Sequence, residues 1–125
     1  MKFLTQVKSI FLISLLAAGT VLPVFALASP PTVELKANPS SGEAPLNGVT
    51  LSATVVEHWP RYFGNLITYK FDCENDGTWD YIFPNITYNP QIVDYGCSYN
   101  SSGSYTAKVS VETEIGFGQD TVAIN

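Results

Sequence analysis

Four acidic side chains stand close together in one short segment of the chain. Asp72, Glu74, Asp76 and Asp80 fall within nine residues, and Gly77 directly follows the third of them. Carboxylates at the first, third, fifth and ninth positions with a glycine at the sixth resemble a calcium loop, because hard cations take several oxygens from a tight turn. The twelfth position lacks the usual glutamate, so a solvated Asp-Gly hairpin turn is the alternative.

A second candidate site is aromatic. Trp59, Tyr62 and Phe63 lie in segment 57–65, which is predicted to be a loop between two strands. Exposed aromatic side chains can stack on sugar rings or insert into a pocket of a partner. The alternative is that they fold back and cover the end of the domain. His58 directly precedes Trp59, but the sequence gives no serine or cysteine nucleophile and paired acid that would form a catalytic set with it.

The sequence offers little else for catalysis. It has no phosphate-binding loop, no Ser-His-Asp set and no cluster with metal-ligand spacing apart from the acidic segment. Carboxylates on an exposed hairpin lack the burial that separates pKa values for acid–base work. We therefore predict that the chain is not an enzyme, with a small secreted hydrolase as the remaining catalytic hypothesis. Asn85-Ile86-Thr87 and Asn100-Ser101-Ser102 match the N-glycosylation sequon, which short polar turns also produce by chance.

The elements that must position these residues are β-strands. Apolar and polar side chains alternate with a period of two after residue 31, and no stretch there has a helical period long enough for a helix. Asp76-Gly77 supplies the positive φ of a turn between two strands. Loops or turns are predicted over residues 38–48, 74–77, 84–90 and 116–118. Strands are predicted around residues 33–36, 49–55, 67–73, 78–83, 92–99, 105–112 and 121–124.

The first 28 residues are predicted to be a helical signal peptide. Lys2 and Lys8 form a positive start, an apolar run covers residues 10–18, and Ala26-Leu27-Ala28 is a small-x-small cleavage site. An uncleaved membrane anchor is the alternative, because the apolar character persists to about residue 28. We expect a mature domain over residues 29–125 that is secreted, periplasmic or at the cell surface, with a membrane as partner only if cleavage does not occur.

Charge narrows the choice of partners. The mature part retains four cations against eleven acids, a formal charge of −7. Such a surface repels phosphate backbones, so nucleic acid is excluded as a partner class. Cys73 and Cys97 both lie in the exported part, where an oxidising compartment favours a disulfide between them. Two free buried thiols are the alternative.

Four segments of the mature chain follow one another in a distinctive order. They are Asn38-Pro-Ser-Ser-Gly-Glu-Ala-Pro-Leu46, Tyr69-Lys-Phe-Asp72 followed by Asp76-Gly-Thr78, Tyr99-Asn-Ser-Ser-Gly-Ser-Tyr-Thr106, and Val109-Ser-Val111 with Gly116. Together they resemble the PKD (polycystic kidney disease) domain family, and the resemblance extends over essentially the whole mature chain. Phe71 stands where that family usually has tryptophan, and Cys73 stands where it has phenylalanine.

The resemblance implies an all-β fold: a two-sheet, immunoglobulin-like sandwich of about seven strands. It also implies that the strands carrying Cys73 and Cys97 lie near each other, which supports the disulfide. The family implies an extracellular spacer, or a module for protein or carbohydrate contacts, and no catalytic residues or cofactor other than the calcium considered above. The leading hypothesis is thus an exported non-catalytic module. The alternative is a carbohydrate-binding module that uses Trp59, Tyr62 and Phe63.

Overall fold

The computed structural model describes residues 29–56 and 66–125. The predicted signal peptide, residues 1–28, lies outside the described residues, and so does the segment that contains Trp59, Tyr62 and Phe63. Within the described ranges there is no helix long and apolar enough to cross a membrane.

Seven β-strands form where the sequence alternates between apolar and polar side chains. In β3 and β6 the apolar set points into the molecule, because successive strand residues face opposite sides of a sheet. The strands are β1 (Val33–Asn38), β2 (Leu46–Val55), β3 (Ile67–Asp72), β4 (Tyr81–Ile86), β5 (Gln91–Tyr99), β6 (Tyr105–Thr113) and β7 (Gly116–Ile124).

The strands form two antiparallel sheets. The first sheet has the order β1-β2-β5, and the second has the order β4-β3-β6-β7. This is an immunoglobulin-like sandwich in which β4 pairs with β3, whereas an antibody constant domain places its fourth strand in the sheet of the first, second and fifth. The predicted two-sheet, all-β fold is confirmed.

One core lies between the sheets. Leu51 from the first sheet and Tyr69 and Phe71 from the second are among its largest fully buried side chains. Phe71 contacts Phe83 edge-to-face, with ring centroids 6.1 Å apart. The remaining buried apolar side chains join them in a single cluster. The burial of this cluster is the main stabilising term of the fold.

The disulfide links the two sheets. Cys73 directly follows β3 and Cys97 lies in β5, and their sulfur atoms are bonded across a Cα–Cα distance of 5.7 Å. The predicted pairing is therefore confirmed. The bridge differs from that of antibody domains, where it joins the second and sixth strands.

Three predicted boundaries were wrong. β2 begins at Leu46, inside the predicted loop 38–48, because an irregular register lets Leu46 pair with Tyr99. β4 starts at Tyr81 rather than residue 78 and extends through Pro84 and Asn85. Asn85 has φ 58°, and the register shifts between the Ile67 and Tyr69 pairs, so this is a bulge on an edge strand, where proline is tolerated.

The last hairpin also differs from the prediction. Residues 116–118 were expected to form a turn, but β7 begins at Gly116, which pairs with Thr113 across the two-residue loop Glu114-Ile115. Gly118 lies within β7, and a side chain there would collide with the carbonyl of Pro31. The glycine is therefore required by a close approach of the N-terminal segment rather than by a turn.

The sandwich has two ends, which we call the acidic pole and the opposite pole. The acidic pole carries residues 40–44, the turn 73–80, the loop 100–104 and Asn125. The opposite pole carries residues 30–32, Val56, Leu66, residues 87–90 and the turn 114–115. The aromatic segment 57–65 joins Val56 to Leu66, both at the opposite pole.

Candidate functional site

Asp72 organises the turn at the acidic pole. It is the last residue of β3, and only 1% of its surface is exposed. Its carboxylate accepts hydrogen bonds from three backbone amides, those of Glu74 at 3.1 Å, Asp76 at 3.3 Å and Gly77 at 3.0 Å. A buried carboxylate requires such partners. Asp72 therefore stabilises the turn from within.

The other aspartates of the turn have similar roles. Asp76 Oδ1 accepts the amide of Thr78 at 2.8 Å, and Asp80 Oδ2 accepts the amide of Cys73 at 2.7 Å. The backbone amide of Asp80 in turn donates to the Phe71 carbonyl at 2.8 Å. The bonds accepted by the Asp76 and Asp80 carboxylates are side-chain-to-backbone bonds, of the kind that replace ladder bonds where a strand ends. The predicted Asp-Gly turn is thus present, with Gly77 at φ 91°.

The four acids do not form a ready-made metal centre in the described structure. Across residues 29–56 and 66–125, no group of three or more His, Cys, Asp or Glu side chains is arranged to hold a metal ion. Three of the four acids direct a carboxylate oxygen at a backbone amide. Calcium binding at Asp72, Glu74, Asp76 and Asp80 stays a prediction, and the alternative of a hairpin turn has a defined hydrogen-bond pattern.

A polar cleft of about 270 Å³ lies beside this turn. It is lined by Glu74, Asp76 and Asp80, by the cystine, and by residues of β4 and β5. A larger pocket of about 580 Å³ lies at the same pole, between the loops at residues 42–46 and 99–105. Neither feature was predicted from the sequence, because each is formed by residues far apart in the chain.

The pKa of Tyr99 reflects the negative charge of the acidic pole. Its buried hydroxyl donates to the Cys73 carbonyl at 2.6 Å. Burial, and after it the negative charges of Glu74, Asp80 and Asp72, together raise the pKa of Tyr99 to about 12. The pole therefore disfavours anions and favours neutral or cationic ligands. Lys108, whose Nζ lies 5.6 Å from the ring centre of Trp79, provides one cation near the turn.

The aromatic candidates cannot be placed. Trp59, Tyr62 and Phe63 lie outside the described residues, so their role as ligand contacts stays a prediction. The described residues around the ends of their segment include three exposed apolar side chains, those of Val56, Leu66 and Tyr88. The two sequon asparagines, Asn85 and Asn100, are both exposed.

Sequence analysis missed the most exposed aromatic side chain of the described residues. Tyr95 in β5 is 78% exposed and has a positive φ of 53°. The signal was an interrupted alternation, since Asp94-Tyr95-Gly96 breaks the period of two between the buried Val93 and Cys97. Gly48, whose backbone lies against the Tyr95 side chain, was assigned to a loop.

Comparison with known proteins yields one similarity of fold. No protein-family model matches the chain, and a search of curated proteins finds no match. Among solved structures, the chain is similar to the solution structure of the PKD domain from human VPS10 domain-containing receptor SorCS2. The TM-score is 0.48, the sequence identity is 18%, and the alignment covers 80% of this chain and 79% of that chain. The likeness involves a PKD domain, the family whose motifs the sequence resembles.

Proposed function

We propose that the chain is an exported, non-catalytic, immunoglobulin-like module that acts as a spacer, with its two ends held at a fixed separation. The observation that carries the proposal is the course of the chain. Pro30 lies beside Gly116 at the opposite pole, whereas Asn125 lies at the acidic pole. The chain thus enters the domain at one end and leaves it at the other, which is the geometry that a spacer requires.

The first and last strands fix this separation together. β1 and β7 run side by side in the same direction, with the amide of Leu35 donating to Asp120 Oδ2 at 2.8 Å. Near the acidic pole, the Asn125 amide donates to the Ser40 carbonyl at 3.0 Å, and the Gly42 amide donates to the Asn125 carbonyl at 2.9 Å. Nine strand residues span about 30 Å, so the two ends are expected roughly that far apart.

The disulfide supports export as part of the proposal. Structural disulfides persist in oxidising compartments and are rare in the reducing cytosol of mesophiles. Because the mature surface carries an excess of acids, we expect extracellular proteins or polysaccharides as contacts rather than nucleic acid.

A distance measurement on the secreted chain tests the spacer. Spin labels are introduced through noncanonical amino acids at positions 29 and 125, so that the cystine is left intact, and the separation is read by electron–electron double resonance. A single narrow distribution at about 30 Å is expected. A broad distribution, or one centred below about 20 Å, would contradict a fixed separation.

The proposed lack of catalytic activity is tested separately. The secreted protein is incubated with chromogenic ester, peptide and glycoside substrates, alongside an Asp76→Asn/Asp80→Asn variant. We expect no turnover above that of the variant. Turnover by the natural protein that the variant lacks would support the hydrolase hypothesis and place its carboxylates in the turn.

Carbohydrate binding by Trp59, Tyr62 and Phe63 is the second candidate function. The exposed Val56, Leu66 and Tyr88 favour it, because grouped apolar side chains at a domain end often mark a contact surface. A glycan array probed with the secreted protein and with Trp59→Ala tests this candidate. Binding that survives the substitution would rule out the proposed aromatic surface.

A further inference from the structure

Tyr95 occupies a backbone conformation that tyrosine rarely adopts. Its φ of 53° lies in the left-handed region, where glycine and asparagine are favoured and bulky side chains are not. The ring is 78% exposed, so burial of the side chain does not offset the strain. Backbone strain that is not repaid by packing is a feature of binding sites, where the conformation serves to present a side chain.

Irregular pairing between β2 and β5 produces this conformation. Val49 pairs with Cys97 and Leu51 pairs with Val93, so β5 has two more residues than β2 between the same two pairs. A bulge of this kind changes the direction of a side chain. The extra residues of β5 include Tyr95, and they bring its backbone to the outer face of the first sheet, beside Thr50.

Neighbouring residues hold the bulge in place. Thr50 Oγ1 accepts a hydrogen bond from the Tyr95 amide at 3.1 Å. Gly48, itself at φ 71°, lies under the ring, and a Cβ there would be only 3.2 Å from Tyr95 Cδ1. On the other side, the Tyr81 hydroxyl donates to the Gly96 carbonyl at 2.6 Å. The position of Tyr95 is therefore fixed from both flanks.

The chain neighbours of Tyr95 and Gly48 offer polar groups, one of which carries a negative charge. Asp94 precedes Tyr95 in β5 and Asn47 precedes Gly48 in β2, and both are exposed, while Ile92 is half exposed on the same strand as Tyr95. Aromatic rings stack on the apolar faces of sugars, while carboxylate and amide groups hydrogen-bond to sugar hydroxyls. The carboxylate of Asp94 and the formal −7 charge of the mature chain disfavour anionic polymers.

We propose that Tyr95 is the stacking platform of a binding site for neutral polysaccharide on the outer face of the first sheet, with Asp94 and Asn47 as hydrogen-bonding groups. The site uses no residue of segment 57–65 or of the acidic turn. It is also independent of the spacer role, because a fixed separation of the two ends does not require a ligand.

The test uses the secreted protein on an array of neutral glycans that includes cello-, xylo- and chito-oligosaccharides, followed by calorimetric titration with the best hexasaccharide. Tyr95→Ala is expected to weaken binding about tenfold or more, and Tyr95→Phe is expected to keep most of it. Phe117→Ala is the matched control, since Phe117 is 63% exposed on β7 of the second sheet and its loss should leave binding unchanged.

A stability measurement separates binding from packing. Tyr95→Asn places a residue that tolerates positive φ at the strained position, so the Tm should stay the same or rise while binding is lost. A Tm that falls by more than about 4 °C would show that the ring is structural. The proposal is also overturned if no neutral glycan binds, if binding survives Tyr95→Ala, or if Tyr95 supports capture of a protein without any glycan binding.

Discussion

The side-chain amide of Asn89 forms the pair of hydrogen bonds with Val55 that a neighbouring strand would form. The Val55 amide donates to Asn89 Oδ1 at 3.0 Å, and Asn89 Nδ2 donates to the Val55 carbonyl at 2.9 Å. The β5 partner of β2 begins only at Gln91, which pairs with Ala53. Asn89 therefore extends the ladder by one more pair at the opposite pole, and its Oδ1 also lies 3.3 Å from the Tyr69 hydroxyl.

Replacing Asn89 with leucine should destabilise the fold. The substitution leaves a partly buried N–H and C=O of Val55 without partners, which costs about 1–3 kcal/mol in the free energy of unfolding. Urea denaturation of the protein with its disulfide intact measures the change. Asn100→Leu, at an exposed loop position, is the control and should shift the free energy by less than about 0.5 kcal/mol. Equal effects of the two substitutions would show that the Val55 pairing contributes nothing.

The cystine should stabilise the domain substantially. Cys73 and Cys97 are separated by 24 residues, and closing a loop of that length contributes about 3 kcal/mol in the chain-entropy description. Replacing both cysteines with alanine should lower the free energy of unfolding by roughly that amount. Non-reducing peptide mapping gives the covalent check, and alkylation of both thiols without reductant would contradict the bridge.

Calcium binding at the acidic turn has a thermal test. Extracellular calcium sites have dissociation constants on the order of 0.1–1 mM, so a few millimolar calcium should add roughly 1 kcal/mol and raise the Tm by a few degrees. Asp76→Asn should abolish the rise, and magnesium should have less effect because it gives up its water reluctantly. Identical melting curves in calcium and in chelator would contradict calcium binding. The aspartates would then serve only as hydrogen-bond acceptors for the amides of the turn.

Two buried tyrosines should make the domain sensitive to high pH. Burial raises the pKa of Tyr69 and of Tyr99 from 10.0 to about 12. The neutral hydroxyls are favoured in the fold, whereas the unfolded chain ionises them near pH 10. Their contribution is thus complete below pH 10 and is lost as pH rises towards 12. Denaturant midpoints at pH 9, 10 and 11 should fall in that order.

Ultraviolet titration identifies the groups responsible. Absorbance at 295 nm should show Tyr69 and Tyr99 ionising near pH 12, and Tyr99→Phe should remove one of these two late steps. Ionisation of every tyrosine near pH 10 in the folded protein would contradict the raised pKa values.

The strands that could be predicted are those whose local pattern agrees with their tertiary environment. β3 and β6 alternate strictly and pair with each other, so the period of two identifies both. The turn predicted over residues 116–118 was wrong. Glycine is typical of turns in a local sequence, but Gly118 lies in a strand, where it accommodates the Pro31 carbonyl. The bulge at Pro84 and Asn85 was likewise assigned to a loop, because proline and asparagine are turn residues in most settings.

The candidate sites also differ in whether the local sequence reveals them. The acidic turn was evident because all its members are close in sequence. The structure was needed only to show which backbone amides donate hydrogen bonds to its carboxylates. Tyr95 was missed because its exposure depends on Gly48 and Thr50, which lie more than forty residues earlier in the chain. No local pattern connects these positions, and only the register of β2 against β5 brings them together.

The parallel course of β1 and β7 also has a mechanical consequence. Tension applied between Pro30 and Asn125 acts along both strands, so the contacts near Leu35, Ser40 and Gly42 are sheared together rather than peeled apart one after another. After rupture, the cystine keeps the 24-residue loop from extending, which withholds about 80 Å of the contour length. A reducing environment would release that length, so the extensibility of the domain depends on the redox state of its surroundings.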